Sequence, residues 1–175
     1  MGLTFIGCVL SNNAAAQDGG AIRQYSTAAT DQPFTLQNST LHGNTAGNVG
    51  GALSIGTVNA TKLVTNCVFR NNVATGNGGA IYDGIGPNAL ILDSDFSGNS
   101  GQNGGALYLV TNSVVRNCLF ETNKATADGG AIYLDGTTAF TPYRIELSTF
   151  YSNTAANGGA AYVLDGLMYV TNCVF

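Results

Sequence analysis

The sequence has no tryptophan, a single histidine and few charges: 6 Lys plus Arg against 10 Asp plus Glu, a net of −4 over 175 residues. So few cations exclude a nucleic-acid surface, which needs clustered positive charge to neutralise phosphates. They also exclude a polybasic membrane anchor. No apolar run approaches the roughly 18 residues of a transmembrane helix, so direct membrane insertion is not expected. The opening stretch, Met1 to Asn13, lacks a basic n-region, and its apolar run is too short for a secretory signal. Together with the pattern below, it reads as part of a piece taken from a longer exported chain. With one histidine and no nucleophile–base pair, metal or triad chemistry has little support, and no cofactor is expected.

What the sequence has in abundance is repetition. Gly-Gly-Ala occurs six times, starting at Gly19, Gly50, Gly78, Gly104, Gly129 and Gly158. Ahead of each stands a Leu or Phe followed three places later by Asn: Leu10/Asn13, Leu41/Asn44, Phe69/Asn72, Phe96/Asn99, Phe120/Asn123 and Phe150/Asn153. Phe175 begins a seventh unit. Helical repeats need longer helix-forming segments than the Gly pairs, Thr and Asn allow. Leucine-rich repeats need a Leu-x-x-Leu-x-Leu pattern that is missing. Short alternating runs between Asn and Gly turns point to an all-β fold, a right-handed single-stranded parallel β-helix of six to seven coils spanning 1–175 as one domain.

Aligned coils give columns. Phe5, Leu36, Val64, Ile91, Val115, Ile145 and Val170 are all apolar. Three residues on come Cys8, Ser39, Cys67, Ser94, Cys118, Ser148 and Cys173, all small, and two further on the Leu/Phe column. The offset of three breaks the strand period of two and demands a bend. At that bend stand Gly7, Asn38, Asn66, Asp93, Asn117, Leu147 and Asn172, mostly residues that tolerate a left-handed backbone. Their amides should bond from coil to coil, and Leu147 should deform its coil. After each Gly-Gly-Ala, Ile22, Leu53, Ile81, Leu107, Ile132 and Ala161 should point inward. The next column, Arg23, Ser54, Tyr82, Tyr108, Tyr133 and Tyr162, should point outward and carry an exposed tyrosine ladder.

The four cysteines do not suggest a disulfide or zinc framework. Cysteines alternate with serines in their column, which sets neighbouring Cys about 9.6 Å apart at two coil rises. A disulfide needs Cα atoms within about 7 Å, so these are expected to be free, small core residues.

The paired motifs, for example Gly78-Gly79-Ala80-Ile81 with Phe69/Asn72 and Gly129-Gly130-Ala131-Ile132 with Phe120/Asn123, resemble the passenger repeats of the chlamydial polymorphic membrane proteins. The first two coils have Leu10 and Leu41 in place of Phe, and the last Gly-Gly-Ala is followed by Ala161. The resemblance implies an autotransporter-like passenger, extracellular or at the cell surface, with an adhesive role and a host or neighbouring-cell protein or glycan as partner.

Candidate contact surfaces are the Tyr82, Tyr108, Tyr133 and Tyr162 ladder and two long connections, Ser26 to Pro33 and Thr137 to Pro142. Asp135 and Asp165 lie near enough in phase to stack and, with Glu146, to form a weakly acidic patch. Asp93 with Asp95, and the turn acids Asp18 and Asp128, are thin candidates for chemistry or calcium. Three alternatives stand beside an adhesin: a filament formed by head-to-tail stacking, which would bring Cys173 beside Cys8; a protein that binds or degrades polysaccharide; and an ice-binding protein, for which the Thr65, Thr111 and Thr171 positions are poorly aligned.

Overall fold

The computed structural model describes residues 2–26, 33–57, 60–86, 88–110, 112–136 and 142–175. The long connections named above fall mainly on 27–32 and 137–141, outside the described residues, as does Thr111.

The chain is a right-handed parallel β-helix of about six turns. Each coil adds one short strand to each of four sheets, in chain order and always parallel to the strand before it. The first sheet has seven strands, from Leu3–Ile6 to Met168–Thr171. The second has six, from Val9–Ser11 to Thr149–Tyr151, and the third has five two-residue strands from Ala14–Ala15 to Lys124–Ala125. The fourth follows Gly-Gly-Ala, from Ile22–Ser26 to Ala161–Val163.

Register matches the columns. Leu36 pairs with Val64, Val64 with Ile91, and Phe69 with Phe96, each position stacking on its equivalent. Leu36, Val64, Ile91, Phe69, Phe96 and Phe120 are buried. The Phe rings form a continuous stack at centroid spacings of 4.9–5.0 Å from Phe69 to Phe175, close to the spacing of adjacent strands. Each such pair adds about 0.5–1.5 kcal/mol beyond its burial.

The turns follow from backbone chemistry. The first Gly of each Gly-Gly-Ala has φ between 62° and 69°, the left-handed region that glycine enters freely. The second Gly is required for another reason. A Cβ on Gly79 would lie 2.0 Å from the carbonyl oxygen of Gly105 in the next coil, so only a bare backbone stacks there. At the bend between the first and second sheets, the positions from Gly7 to Asn172 are all left-handed, with φ of 49–65°. Asn66 donates to Asn38 Oδ1 and Asn117 to Asp93 Oδ1, both at 2.8 Å, the coil-to-coil amide bonding expected of this column.

Leu147 departs from expectation. It adopts the same left-handed turn, φ 51°, without deforming its coil: Asn117 N–H still reaches Glu146 O and Leu147 N–H still reaches Thr171 O, each at 3.0 Å. Its side chain is turned into solvent. A left-handed non-glycine residue costs about 1–2 kcal/mol, less than breaking the ladder bonds on either side.

The main internal ladder lies elsewhere, at the Asn of Phe-x-x-Asn. Asn44, Asn72, Asn99 and Asn123 are fully buried. Asn99 Oδ1 accepts from both the backbone N–H and the side-chain amide of Asn72, while Asn99 Nδ2 donates to Phe69 O and to Asn123 Oδ1. The same pattern runs from Asn13 to Asn153. Every donor and acceptor of the amide is used, which is what makes a buried asparagine tolerable.

Candidate functional site

The tyrosine ladder exists but is not exposed as expected. Tyr82–Tyr108, Tyr108–Tyr133 and Tyr133–Tyr162 stack at 5.0, 5.0 and 5.3 Å. Tyr108 and Tyr133 are only 8% and 7% accessible, and Tyr82 and Tyr162 are half-buried. The rings lie along the sheet instead of standing off it; that of Tyr82 covers Gly84, where a Cβ would meet it at 2.2 Å. Stacked in this way, each inner ring is covered on both faces by its neighbours. Burial raises the pKa of Tyr82, Tyr108 and Tyr133, with nearby Asp135 adding to the effect, so these phenols stay protonated.

The structure brings three of the singled-out residues together. Tyr82, Tyr108 and Asp135 line a crevice of about 290 Å³ on the outer face of the fourth sheet, with Gly84, Ile85, Gly86 and Val110. The Tyr108 hydroxyl donates to Asp135 Oδ2, and Asp135 Oδ1 is buried without a hydrogen-bond partner. Asp165 does not join them. Leu134 is the residue aligned with Val163, which sets Asp165 one place out of phase with Asp135. Its carboxylate caps the Gly166 amide at 2.7 Å in an exposed turn. Glu146 stands in the first sheet, aligned with Arg116 and Thr171. The expected acidic patch is therefore dispersed.

The other acids are occupied in linking coils. Asp18 accepts from Asn48 Nδ2 and pairs with Arg23 at 3.3 Å, and Asp128 accepts from Asn157 Nδ2. Asp93 and Asp95 line an open groove of about 540 Å³ at the first bend, where Asp93 already accepts from Asn117. Among the described residues no group of three or more His, Cys, Asp or Glu converges as a metal site would require. Thr65 and Thr171 share one column, but Ile6, Gln37, Leu92, Arg116 and Glu146 occupy its other rungs, so no threonine array forms there.

Sequence reasoning missed a buried ion pair. Lys62 opens a first-sheet strand in the column of Phe34 and Ala89, and Asp83 lies in a fourth-sheet column between Ile55 and Leu109. Both side chains are inaccessible and meet at 2.7 Å; Lys62 also donates to Ile85 O and Gly86 O. Burial pushes the Asp83 carboxyl up to about 7, against the opposing pull of Lys62. Asp83 Oδ2 has no hydrogen-bond partner; the buried Tyr143 hydroxyl, three rungs further along the Lys62 column, has none either. The Lys62 and Asp83 side chains are sealed inside the solenoid, beneath the Ile85 and Gly86 backbone that lines the outer crevice. The only signal available in the sequence was a charged residue at each of two positions that are apolar in most coils.

All four cysteines are free. Cys67 and Cys118 are buried, their thiols directed at Thr65 O and Arg116 O, while the serines between them accept backbone N–H groups from the preceding coil.

Four parallel sheets stacked coil on coil, carrying shallow outer crevices on a uniform core, define a right-handed β-helix scaffold. The chain belongs to that family: a profile described as a right-handed beta helix region matches residues 1–175. It is 36% identical over 156 residues to the probable autotransporter YfaL of Escherichia coli K12, covering 72% of this chain and 12% of that protein. It is 31% identical over 177 residues to the metabotropic glutamate receptor-like protein R of Dictyostelium discoideum, covering 99% of this chain and 10% of that protein. The chain thus spans a small part of the length of either relative. No solved structure matches it.

Proposed function

We propose that the chain is a non-catalytic, adhesin-like length of passenger, displayed at the cell surface, that binds a glycan or protein through the outer face of its fourth sheet. The observation that supports this most is where the repeat is broken. The core columns hold from coil to coil, whereas the fourth sheet's outer face gathers the tyrosine stack, Asp135 and two adjoining crevices. Rigid aromatic surface beside a few convergent polar groups is the composition of a recognition site. The likeness to a probable autotransporter supports display outside the cell. The Gly-Gly-Ala and Phe-x-x-Asn pairing supports a passenger of the chlamydial type as its narrower form.

The test is attachment. Inert particles coated with the chain should adhere to cells or to an arrayed glycan set, and Tyr82→Ser or Asp135→Ala should weaken that adhesion several-fold while circular dichroism stays unchanged. Adhesion indifferent to both variants, or none by the parent chain, would overturn the reading. Turnover of a polysaccharide by the chain would replace it with an enzymatic one.

A further inference from the structure

Lys62 and Asp83 stand at the two ends of a single coil. They are 21 residues apart in sequence. Between them the chain contributes one strand to each of the four sheets: Lys62–Thr65, Val68–Arg70, Val73–Ala74 and Ile81–Ile85. Where the coil comes round, Nζ meets Oδ1 at 2.7 Å, with the two side chains 0% and 1% exposed. A buried ion pair contributes little over apolar residues of the same volume. Stability alone therefore does not explain charges at two positions that are apolar in most coils.

The contacts around the nitrogen suit a different chemistry. Lys62 Nζ donates to Ile85 O at 2.7 Å and to Gly86 O at 2.8 Å, and its third direction faces the Asp83 carboxyl. Proton transfer from Nζ to the carboxylate leaves an amine and a carboxylic acid, the uncharged forms that a sealed site favours. The two carbonyls then hold both remaining N–H groups, which turns the nitrogen lone pair toward Asp83. Burial pushes the Asp83 carboxyl up to about 7, so the acid form is populated near neutral pH. Asp83 Oδ2 has no hydrogen-bond partner, so nothing ties that oxygen to the protein except its bond to Cγ.

We propose that Lys62 and Asp83 condense to an intramolecular amide, a covalent cross-link that closes one coil of the solenoid into a ring. Nζ attacks Cγ, the C–N bond forms and the Cγ–Oδ2 bond breaks. Oδ2 departs as water, carrying the carboxyl proton and one amine proton, and the amide keeps one N–H for Ile85 O or Gly86 O. The step consumes no oxidant and no second molecule. Holding the two groups in contact supplies the high effective concentration of an intramolecular reaction, and exclusion of bulk water protects the product from hydrolysis. Condensation is slow beside folding. A freshly folded chain carries the ion pair, which governs stability and its pH dependence until the bond forms. Once formed, the cross-link carries tension from one end of the coil to the other, so pulling on the chain cannot draw that coil out.

The probe is the folded chain itself, held at pH 7 for a week and followed by intact-mass spectrometry. Most molecules should become lighter than their sequence by one water. Tryptic digestion should then leave Lys62 uncut, its peptide joined to the one bearing Asp83. Of the two lysines, amine labelling in urea should reach Lys124 alone. A succinimide at Asp83-Gly84 also loses one water, but it leaves Lys62 open to trypsin and to the label. The double variant Lys62→Met with Asp83→Leu should keep its full sequence mass under the same incubation. Three results would overturn the proposal: a parent mass that stays at the sequence value, water loss with Lys62 still cleaved, or equal water loss by the double variant.

Discussion

Lys62 Nζ lies 2.7 Å from Asp83 Oδ1 inside the coil stack, with both side chains sealed from solvent and Asp83 Oδ2 left without a partner. Such a pair contributes little net stability, because the cost of desolvating two charges offsets their attraction. Removing one partner is different: Lys62→Met leaves a buried carboxyl with no donor and should destabilise by roughly 3–5 kcal/mol. The double change Lys62→Met with Asp83→Leu extends the apolar columns of Phe34 and Leu109. It should be neutral or stabilising by equilibrium urea unfolding.

The same pair sets a pH dependence. The folded-state pKa of Asp83 is raised to about 7, above its unfolded value near 3.8. The native state therefore binds the proton more tightly than the unfolded chain does. The group's contribution is fully present below about pH 4 and is lost as pH rises through about 7. Stability of the parent chain, measured relative to the double variant, should fall between pH 4 and pH 8. A difference that is flat or rises over that interval would refute the assignment.

The buried asparagine ladder should be the most sensitive polar element. Asn99→Ala strands the Asn72 backbone N–H and one N–H of the Asn72 amide and takes the amide donor from the Phe69 carbonyl, all buried, while Asn123 Oδ1 keeps the backbone N–H of residue 99. An orphaned buried polar group costs about 1–3 kcal/mol, so the loss should be several kcal/mol. Asn66→Gly keeps the left-handed bend and removes only the exposed amide bond to Asn38. Its effect should stay under about 1 kcal/mol. Urea midpoints of the two variants give the comparison directly.

These residues also mark what was legible in the sequence. Core columns such as Leu36–Val64–Ile91 were readable because a period of two, interrupted once per coil, leaves few alternative registers. The left-handed bends were readable from Gly, Asn and Asp at fixed offsets. Both asparagine columns were visible, yet the sequence could not say that Asn99 faces inward, because an isolated Asn signals a turn whichever way it points. Tyr108 was read as exposed because alternation assigns a side of the sheet and not the depth to which stacked rings cover one another. Lys62 and Asp83 were illegible for a further reason: they flank the variable connection, where the ladder slips between Asp83 and Ile85.

Leu147 offers a stabilising substitution. It holds φ 51° with its side chain in solvent, at a position where Asn117 and Asn172 occupy the neighbouring coils. Leu147→Asn relieves the left-handed penalty and extends the row of corner amides. It should raise stability by about 1 kcal/mol, seen as a higher melting temperature with an unchanged urea m-value.

Thiol chemistry tests the cysteine column in the native state. Burial raises the Cys67 thiol and pushes Cys118 up to about 12, so neither holds appreciable thiolate near pH 8. The thiolate is the form that reacts, and both sulfurs are shielded by the coils around them. A maleimide or iodoacetamide pulse at pH 8 should therefore leave Cys67 and Cys118 unlabelled in folded protein while labelling the partly accessible Cys8 and Cys173. All four should react in denaturing urea. Peptide mapping by mass spectrometry assigns each site. Rapid native labelling at Cys118 would mean that the column opens to solvent, which a continuous stack of Phe96, Phe120 and Phe150 beside it does not permit.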